Sequence, residues 1–176
     1  MSRSIESEIG LIGVSTGSFQ RLLSMATVDE VITDVSLSPS GQLIAYRTQP
    51  RNGASYAIRV ARIDGAGRRT LLTGSGYGPE LASWSPDSTS FLVTSAFSAQ
   101  QLILLSADGN SSLDLITNSI AIESADFSPD GKRIAVTEWV EELSNGWLTE
   151  VFVIQADGTQ KRSLGRGLGN ARWRPN

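Results

Sequence analysis

Short apolar runs alternate with turn residues along the whole chain, and the same arrangement returns at intervals of 43 to 47 residues. Each return is marked by a Ser-Pro corner, which follows one large apolar residue and precedes an apolar run. A fixed period of this length is typical of repeat proteins, whose units bury their apolar faces against neighbouring units. The corners begin at Ser38, Ser85 and Ser128, and the large apolar column consists of Leu37, Trp84, Phe127 and Trp173. We expect this column to pack between units.

Each repeat unit is predicted to contain four short strands. In the first unit, a strand carrying Val35 and Leu37 is followed by apolar runs that predict strands over about 43–48, 56–63 and 69–73. Proline presets the backbone angle at the second position of each corner. Asp-Gly pairs between two apolar runs are a strong hairpin signal. Since no convincing amphipathic helix interrupts this pattern, the sequence predicts an all-β fold.

Four-stranded antiparallel units repeated without helices predict a β-propeller. The Asp-Gly turns imply antiparallel hairpins, so a tandem β-solenoid fits less well. Because propellers have about 4–8 blades, the units counted here predict an incomplete propeller. It is either a piece of a larger propeller or a chain that pairs with a copy of itself through its open blade edges. We predict a single propeller segment over 1–176, with a partial blade over 1–24, full blades over about 30–73, 79–117 and 121–165, and a partial strand over 170–176.

Within each unit the order is a large apolar residue, a Ser-Pro corner, an apolar run, then Asp-Gly and a Leu. The corner reads Ser-Pro-Asp-Gly in the third unit, and Ser40 and Ser88 depart from it in the first two. This order resembles the WD40-like (PD40-type) repeat of the TolB-like β-propeller family. Leu37 departs from the family pattern, which has an aromatic residue there. The resemblance implies a non-catalytic scaffold that binds proteins or peptides, often in the periplasm or cell envelope of bacteria, although the N-terminal residues lack the apolar core of a signal peptide. The likeness rests on Trp84–Asp87, Phe127–Gly131, Ile134–Val136, Asp157-Gly158 and Leu164.

The composition excludes several classes of function. The 176 residues include no His and no Cys, which removes a Ser-His-Asp triad, a His-ligated zinc site and disulfides. The net charge of −3 and the scattered arginines argue against nucleic-acid binding. The apolar runs are too short to insert into a membrane, and no carboxylate cluster has the spacing of a calcium loop. We therefore expect no catalytic residue, no cofactor and no metal.

One stretch, Gly13–Gly17, has the Gly-x-Ser-x-Gly spacing of a hydrolase nucleophile elbow. That elbow needs a strand-to-helix turn and a histidine base. The repeat instead assigns these residues to the end of a strand and its hairpin turn. We expect no catalytic role for them.

The longest connection between a second and a third predicted strand is the loop over 138–149. Exposed Trp side chains beside carboxylates suit a basic or peptide partner, because Trp is favoured at binding hot spots. The alternative is that one or both Trp residues pack against the neighbouring blade. The predicted partner-binding residues are Trp139, Glu141, Glu142, Asn145 and Trp147.

The pair Glu141-Glu142 also resembles the paired Glu with which propellers of dipeptidyl-peptidase-like proteins hold the amino terminus of a substrate. This resemblance implies an alternative function. The chain would be the propeller accessory domain of a dipeptidyl-peptidase or prolyl-oligopeptidase-like serine peptidase whose catalytic domain is absent from this chain. A propeller lyase or sugar-binding enzyme is a third alternative, and the lack of His argues against it.

Overall fold

The computed structural model describes residues 7–25, 30–76, 78–94, 101–117, 119–144 and 146–174. These residues form strands, turns and bends, and no helix occurs among them. The described part of the chain therefore has no helix that could cross a lipid bilayer. The described strands are β1 (Ser7–Ile12), β2 (Phe19–Met25), β3 (Glu30–Leu37), β4 (Leu43–Pro50), β5 (Ser55–Arg62), β6 (Arg69–Ser75), β7 (Glu80–Trp84), β8 (Ser90–Thr94), β9 (Leu102–Ser106), β10 (Ser112–Ile116), β11 (Ala121–Phe127), β12 (Arg133–Leu143), β13 (Gly146–Gln155) and β14 (Arg162–Arg166).

The strands form antiparallel sheets in which each strand pairs with its neighbour in the chain. Strands β1 and β2 form a two-stranded sheet, and three four-stranded sheets follow: β3–β6, β7–β10 and β11–β14. The predicted all-β fold, with three full four-stranded blades and a partial blade before them, is confirmed.

The Ser-Pro corners close the connection between the first two strands of a blade. The Ser128 hydroxyl, which is buried, donates to Asp130 Oδ1 at 2.6 Å and accepts from the backbone N–H of Arg133 at 3.0 Å. The corner before β8 has the same bonds, among Ser85, Asp87 and Ser90. The donated hydroxyl hydrogen bond holds the pKa of Asp87 and of Asp130 below its ordinary value. The repeated Ser and Asp letters therefore have a direct structural cause.

Residues 1–37 and 41–78 form one compact unit, unit 1. Its core joins the two-stranded sheet to strands β4 and β5, and burial raises the pKa of the Tyr46 phenol. Leu37 was expected in a buried column, and this is wrong: its side chain is 47% exposed. The reason is that side chains of β1, β2, β4 and β5 supply this core in its place. The buried cluster consists of Ile9, Leu22, Ile44, Tyr46 and Ala61.

Residues 38–40 and 79–176 form the second compact unit, unit 2. Here β11 packs beside β7 and β8, and both sheets contribute to one apolar cluster. Trp84 and Phe127 are each 7% exposed, so the predicted burial of the large column is confirmed at these two positions. The Trp84 ring lies 4.8 Å from that of Phe91. The cluster includes Leu92, Leu102, Leu115, Ile122, Phe127, Ile134, Val136, Phe152 and Ile154.

The last described segment differs from expectation. The sequence predicts a partial strand over 170–176, whereas residues 170–174 form no strand and 175–176 lie outside the described residues. Side chains hold this backbone instead: the N–H of Trp173 donates to Asp126 Oδ2 at 3.2 Å, and the N–H of Ala171 donates to Thr137 Oγ1 at 3.1 Å. That these residues form one propeller segment with the rest of 1–176 stays a prediction.

Candidate functional site

The longest hairpin, β12–β13, extends past both strands that flank it. Strand β11 pairs with β12 only as far as Trp139, and β14 pairs with β13 only as far as Glu150. Beyond these points β12 and β13 pair with each other alone, up to Leu143 and Gly146. We call residues 140–148 the arm; residue 145 lies outside the described residues. The sequence predicts a loop over 138–149, whereas most of that stretch is a paired hairpin.

Two tryptophans stack at the base of the arm. The ring centroids of Trp139 and Trp147 are 5.2 Å apart and their planes differ by 15°. Thr149 lies directly opposite Trp139, and Trp147 is two residues along from Thr149, so the alternation of a strand puts both indoles on one face. Trp147 remains 41% exposed. The two Trp residues therefore pack on each other. That one or both also pack against the neighbouring blade stays a prediction.

A register shift decides which carboxylate shares this face. The pairing moves by one residue between Trp139 and Glu141, as in a β-bulge at Val140. Glu142 consequently lies directly opposite Trp147, and directly opposed residues place their side chains on the same face. Glu141 lies opposite Leu148, on the other face.

Of the predicted partner-binding residues, the structure thus brings Trp139, Glu142 and Trp147 together and turns Glu141 away. Asn145 lies outside the described residues. Both Glu141 and Glu142 are exposed, and within the described part of the chain neither has an ion-pair partner.

The opposite face, just below the arm, carries charges that are already paired. Glu138 is largely buried, binds Lys161 Nζ at 2.7 Å and accepts a hydrogen bond from the Ser119 hydroxyl at 3.1 Å. The same ammonium lies 3.8 Å from the centroid of the Phe152 ring, a cation–π contact. These groups border an open cavity of about 260 Å³. The pairing of Glu138 with Lys161 could not be predicted from the sequence, because Glu138 lies in β12, Lys161 directly precedes β14, and the two share no motif.

A second matched pair lies on that face, where Arg166 Nε is 3.4 Å from Glu150 Oε2. A hydrogen bond from the Ser163 hydroxyl, together with the nearby Arg166, keeps the pKa of Glu150 below its ordinary value. The two faces of this hairpin therefore differ: one has satisfied ion pairs, and the other has an open indole beside an unpaired carboxylate.

The Gly-x-Ser-x-Gly stretch forms the hairpin turn between β1 and β2. The N–H of Gly17 donates to the carbonyl of Gly13 at 2.7 Å, and the N–H of Gly13 donates to the carbonyl of Ser18 at 2.9 Å. A strand-to-strand turn lacks the helix that a nucleophile elbow requires. Among the described residues, no group of three or more His, Cys, Asp or Glu side chains could hold a metal ion.

Neither a protein-family model nor a curated protein sequence matches this chain. Solved structures do match it in fold. An oligogalacturonate lyase in complex with manganese matches with a TM-score of 0.71 at 8% identity, over 91% of this chain and 48% of the lyase. A dipeptidyl aminopeptidase IV from Bacteroides ovatus ATCC 8483 matches with a TM-score of 0.68 at 13% identity, over 86% of this chain and 25% of that protein.

A third similar structure is decisive for the architecture. It is the β-propeller domain of the Trilobed protease from Pyrococcus furiosus, described as having an open velcro topology, with a TM-score of 0.57 at 13% identity over 78% of this chain and 42% of that one. The fold is an incomplete β-propeller. The chain spans less than half the length of each of these three proteins. At such low identity the similarity shows the fold alone.

Proposed function

We propose that this chain is the propeller part of a serine peptidase of the dipeptidyl-peptidase or prolyl-oligopeptidase type, and that it takes part in substrate recognition without catalysing hydrolysis. The observation that carries the proposal is the structural similarity to a dipeptidyl aminopeptidase IV and to the propeller domain of a protease. This chain corresponds to 25% of the dipeptidyl aminopeptidase IV, which leaves room for a catalytic domain in the rest of such a protein.

The chemistry of the chain supports a non-catalytic part. A Ser-His-Asp triad needs a histidine to accept the proton of the serine, and these 176 residues have none. The arm supplies what a recognition module needs instead, a preformed aromatic surface with a free carboxylate. In this proposal the arm contacts peptides and a separate domain cleaves them.

A fluorophosphonate probe, which labels active serine hydrolases, tests the proposal. An antibody raised against this chain would be used to isolate the natural polypeptide from probe-treated cells. We expect the isolated polypeptide to carry the label and the purified 176-residue chain to remain unlabelled and unable to hydrolyse a proline-containing peptide substrate. Pretreatment of the cells with a serine-hydrolase inhibitor, which should abolish labelling, is the control. A natural polypeptide without label would overturn the proposal.

The second candidate is a non-catalytic scaffold that binds a protein or peptide, as the TolB-like repeat pattern implies. The stack of Trp139 with exposed Trp147 favours it, because such a surface binds equally well without a catalytic domain. The same labelling experiment separates the two: a scaffold gives an unlabelled natural polypeptide that still binds peptides.

A further inference from the structure

Trp139 covers one side of the Trp147 indole in a nearly parallel stack, and Trp147 remains 41% exposed. The β12–β13 ladder holds the two residues in register. A ring fixed in this way loses little conformational freedom when a partner binds, which favours affinity. The open side is a flat π surface that attracts a cation or another planar group.

The charge beside this π surface indicates that it would attract a cation. Glu142 lies directly opposite Trp147 on the same face, and its carboxylate is exposed. Side chains in such a pair have Cβ atoms about 5 Å apart, so one planar cation could stack on the indole and reach the carboxylate together. Arginine fits this geometry better than lysine, because its guanidinium is flat, stacks on aromatic rings and binds carboxylates through two N–H groups.

The backbone of the arm indicates an extended partner. In the described chain no strand pairs with the outer edge of residues 140–143 or with that of residues 146–148. Unpaired strand edges bind extended peptides through main-chain hydrogen bonds, while side-chain contacts on the face of the sheet supply specificity. A peptide on either edge can place one side chain over the face that carries Trp147 and Glu142.

We propose that the arm binds an extended peptide segment through an arginine side chain, whose guanidinium stacks on Trp147 and pairs with Glu142. This inference rests on the proposed function, since it names the peptide chemistry that the recognition module selects. A neutral oligosaccharide is the rival ligand, because sugars also stack on exposed indoles. It would leave the carboxylate of Glu142 without a charged partner, and it would use neither edge of the arm.

Titration of the full chain with short peptides tests the proposal. The probe is an N-acetylated, C-amidated Thr-Val-Arg-Val-Thr peptide, and the indole N–H signals of the nitrogen-15-labelled protein are followed by NMR. We expect the signals of Trp139 and Trp147 to shift while those of buried Trp84 stay unchanged. Replacing Arg by citrulline, which keeps the shape and removes the charge, should weaken binding about tenfold. Acetylation excludes capture of a free amino terminus.

Matched variants of the protein distinguish the two faces of the arm. Trp147→Ala should weaken binding of the arginine peptide about tenfold, and Glu142→Gln about threefold. Glu141→Gln removes the same charge one residue away on the opposite face, so it should weaken binding by less than about twofold. Trp147→Phe should recover part of the lost affinity. The amide signals of β11 and β14 report whether each variant is folded.

Three outcomes would overturn the inference. They are equal affinity for the arginine and citrulline peptides, equal effects of Glu141→Gln and Glu142→Gln, and binding of a neutral cello-oligosaccharide that survives Glu142→Gln. None of them affects labelling by the fluorophosphonate probe. A labelled natural polypeptide whose arm ignores arginine would therefore reject this inference and leave the proposed function intact.

Discussion

Unit 2 contains two pairs of aromatic residues that have opposite surroundings. Trp84 and Phe127 occupy the large apolar column of the repeat, next to the Ser-Pro corners, and each is 7% exposed. Trp139 and Trp147 stack on each other at the arm, where Trp147 keeps an open side. The first pair recurs with the period of the chain, and the second occurs in one hairpin.

The equivalent hairpin of unit 1 shows what makes the arm different. There β4 ends at Pro50, which has no N–H to continue a ladder, and a tight turn follows with Gly53 at a φ of 66°. The β12 strand has no proline at this point and continues to Leu143. The comparison teaches that the repeated residues Trp84 and Phe127 are buried in unit 2, whereas the hairpin where the repeat is broken leaves Trp147 exposed.

Removal of a column residue should produce the largest effect. Phe127→Ala deletes a buried ring from the apolar cluster of unit 2, so it should lower the free energy of unfolding by about 3–5 kcal/mol. Trp84→Ala should have a similar effect. Urea denaturation followed by circular dichroism measures both. A loss no larger than that of Trp139→Ala would contradict the distinction between the two pairs.

The second-largest loss of stability should follow from a change in the Ser-Pro corner that comes directly after Phe127. Ser128→Ala leaves the backbone N–H of Arg133 without its side-chain acceptor, and it leaves Asp130 with only the backbone N–H of Lys132 as a donor. Loss of a buried hydrogen-bonded group should lower the free energy of unfolding by about 1–3 kcal/mol. Exposed Ser112 provides the control, since Ser112→Ala should change the free energy of unfolding by no more than about 0.5 kcal/mol. Equal losses would show that the corner hydroxyl is dispensable.

The arm should tolerate truncation of Trp147. Trp147→Ala removes the exposed partner of an aromatic pair, so the free energy of unfolding should fall by about 1 kcal/mol. The same urea titrations check this value. A fall as large as that of Phe127→Ala would mean that the arm is part of the core.

The smallest expected effect is a change in the free energy of unfolding at acidic pH. The pKa values of Asp87 and Asp130 are held below the ordinary value of about 4 by hydrogen bonds at the corners. Such groups stabilise the folded state above that ordinary value, and the stabilisation is lost as the pH falls through the folded pKa.

Both carboxylates are exposed, which keeps their contribution small. The difference in unfolding free energy between the wild type and an Asp87→Asn, Asp130→Asn double variant should shrink as the pH falls below about 4. Urea titrations at several acidic pH values measure it. A difference that does not change with pH would remove the carboxylates from the stability of the corners.

The repeat made the strands predictable because each corner combines local signals. Proline, a buried Ser hydroxyl and an Asp acceptor occur together at the corners before β8 and β12, and Ser40 takes the place of the Asp at the corner before β4. The exposure of Leu37 could not be predicted in the same way. A column position is buried only if other side chains surround it, and the core of unit 1 is built from neighbouring strands.

The arm shows how far the sequence leads toward a site. The residues Trp139, Glu142 and Trp147 could be selected from their letters, since Trp and carboxylates together suit a partner. Their arrangement could not. Simple alternation from Trp139 would place Glu141 on the tryptophan face, and the register shift at Val140 replaces it with Glu142. A one-residue shift of this kind depends on the pairing of both strands.

The central claim is that the column holds the fold and the arm binds. Its most direct test measures both properties, the free energy of unfolding and the affinity for the acetylated arginine peptide, in Phe127→Ala and Trp147→Ala. We expect Phe127→Ala to lose stability while its folded form binds the peptide normally, and Trp147→Ala to lose affinity while it stays nearly as stable as the wild type. Two variants that lose stability and affinity in the same proportion would contradict the account.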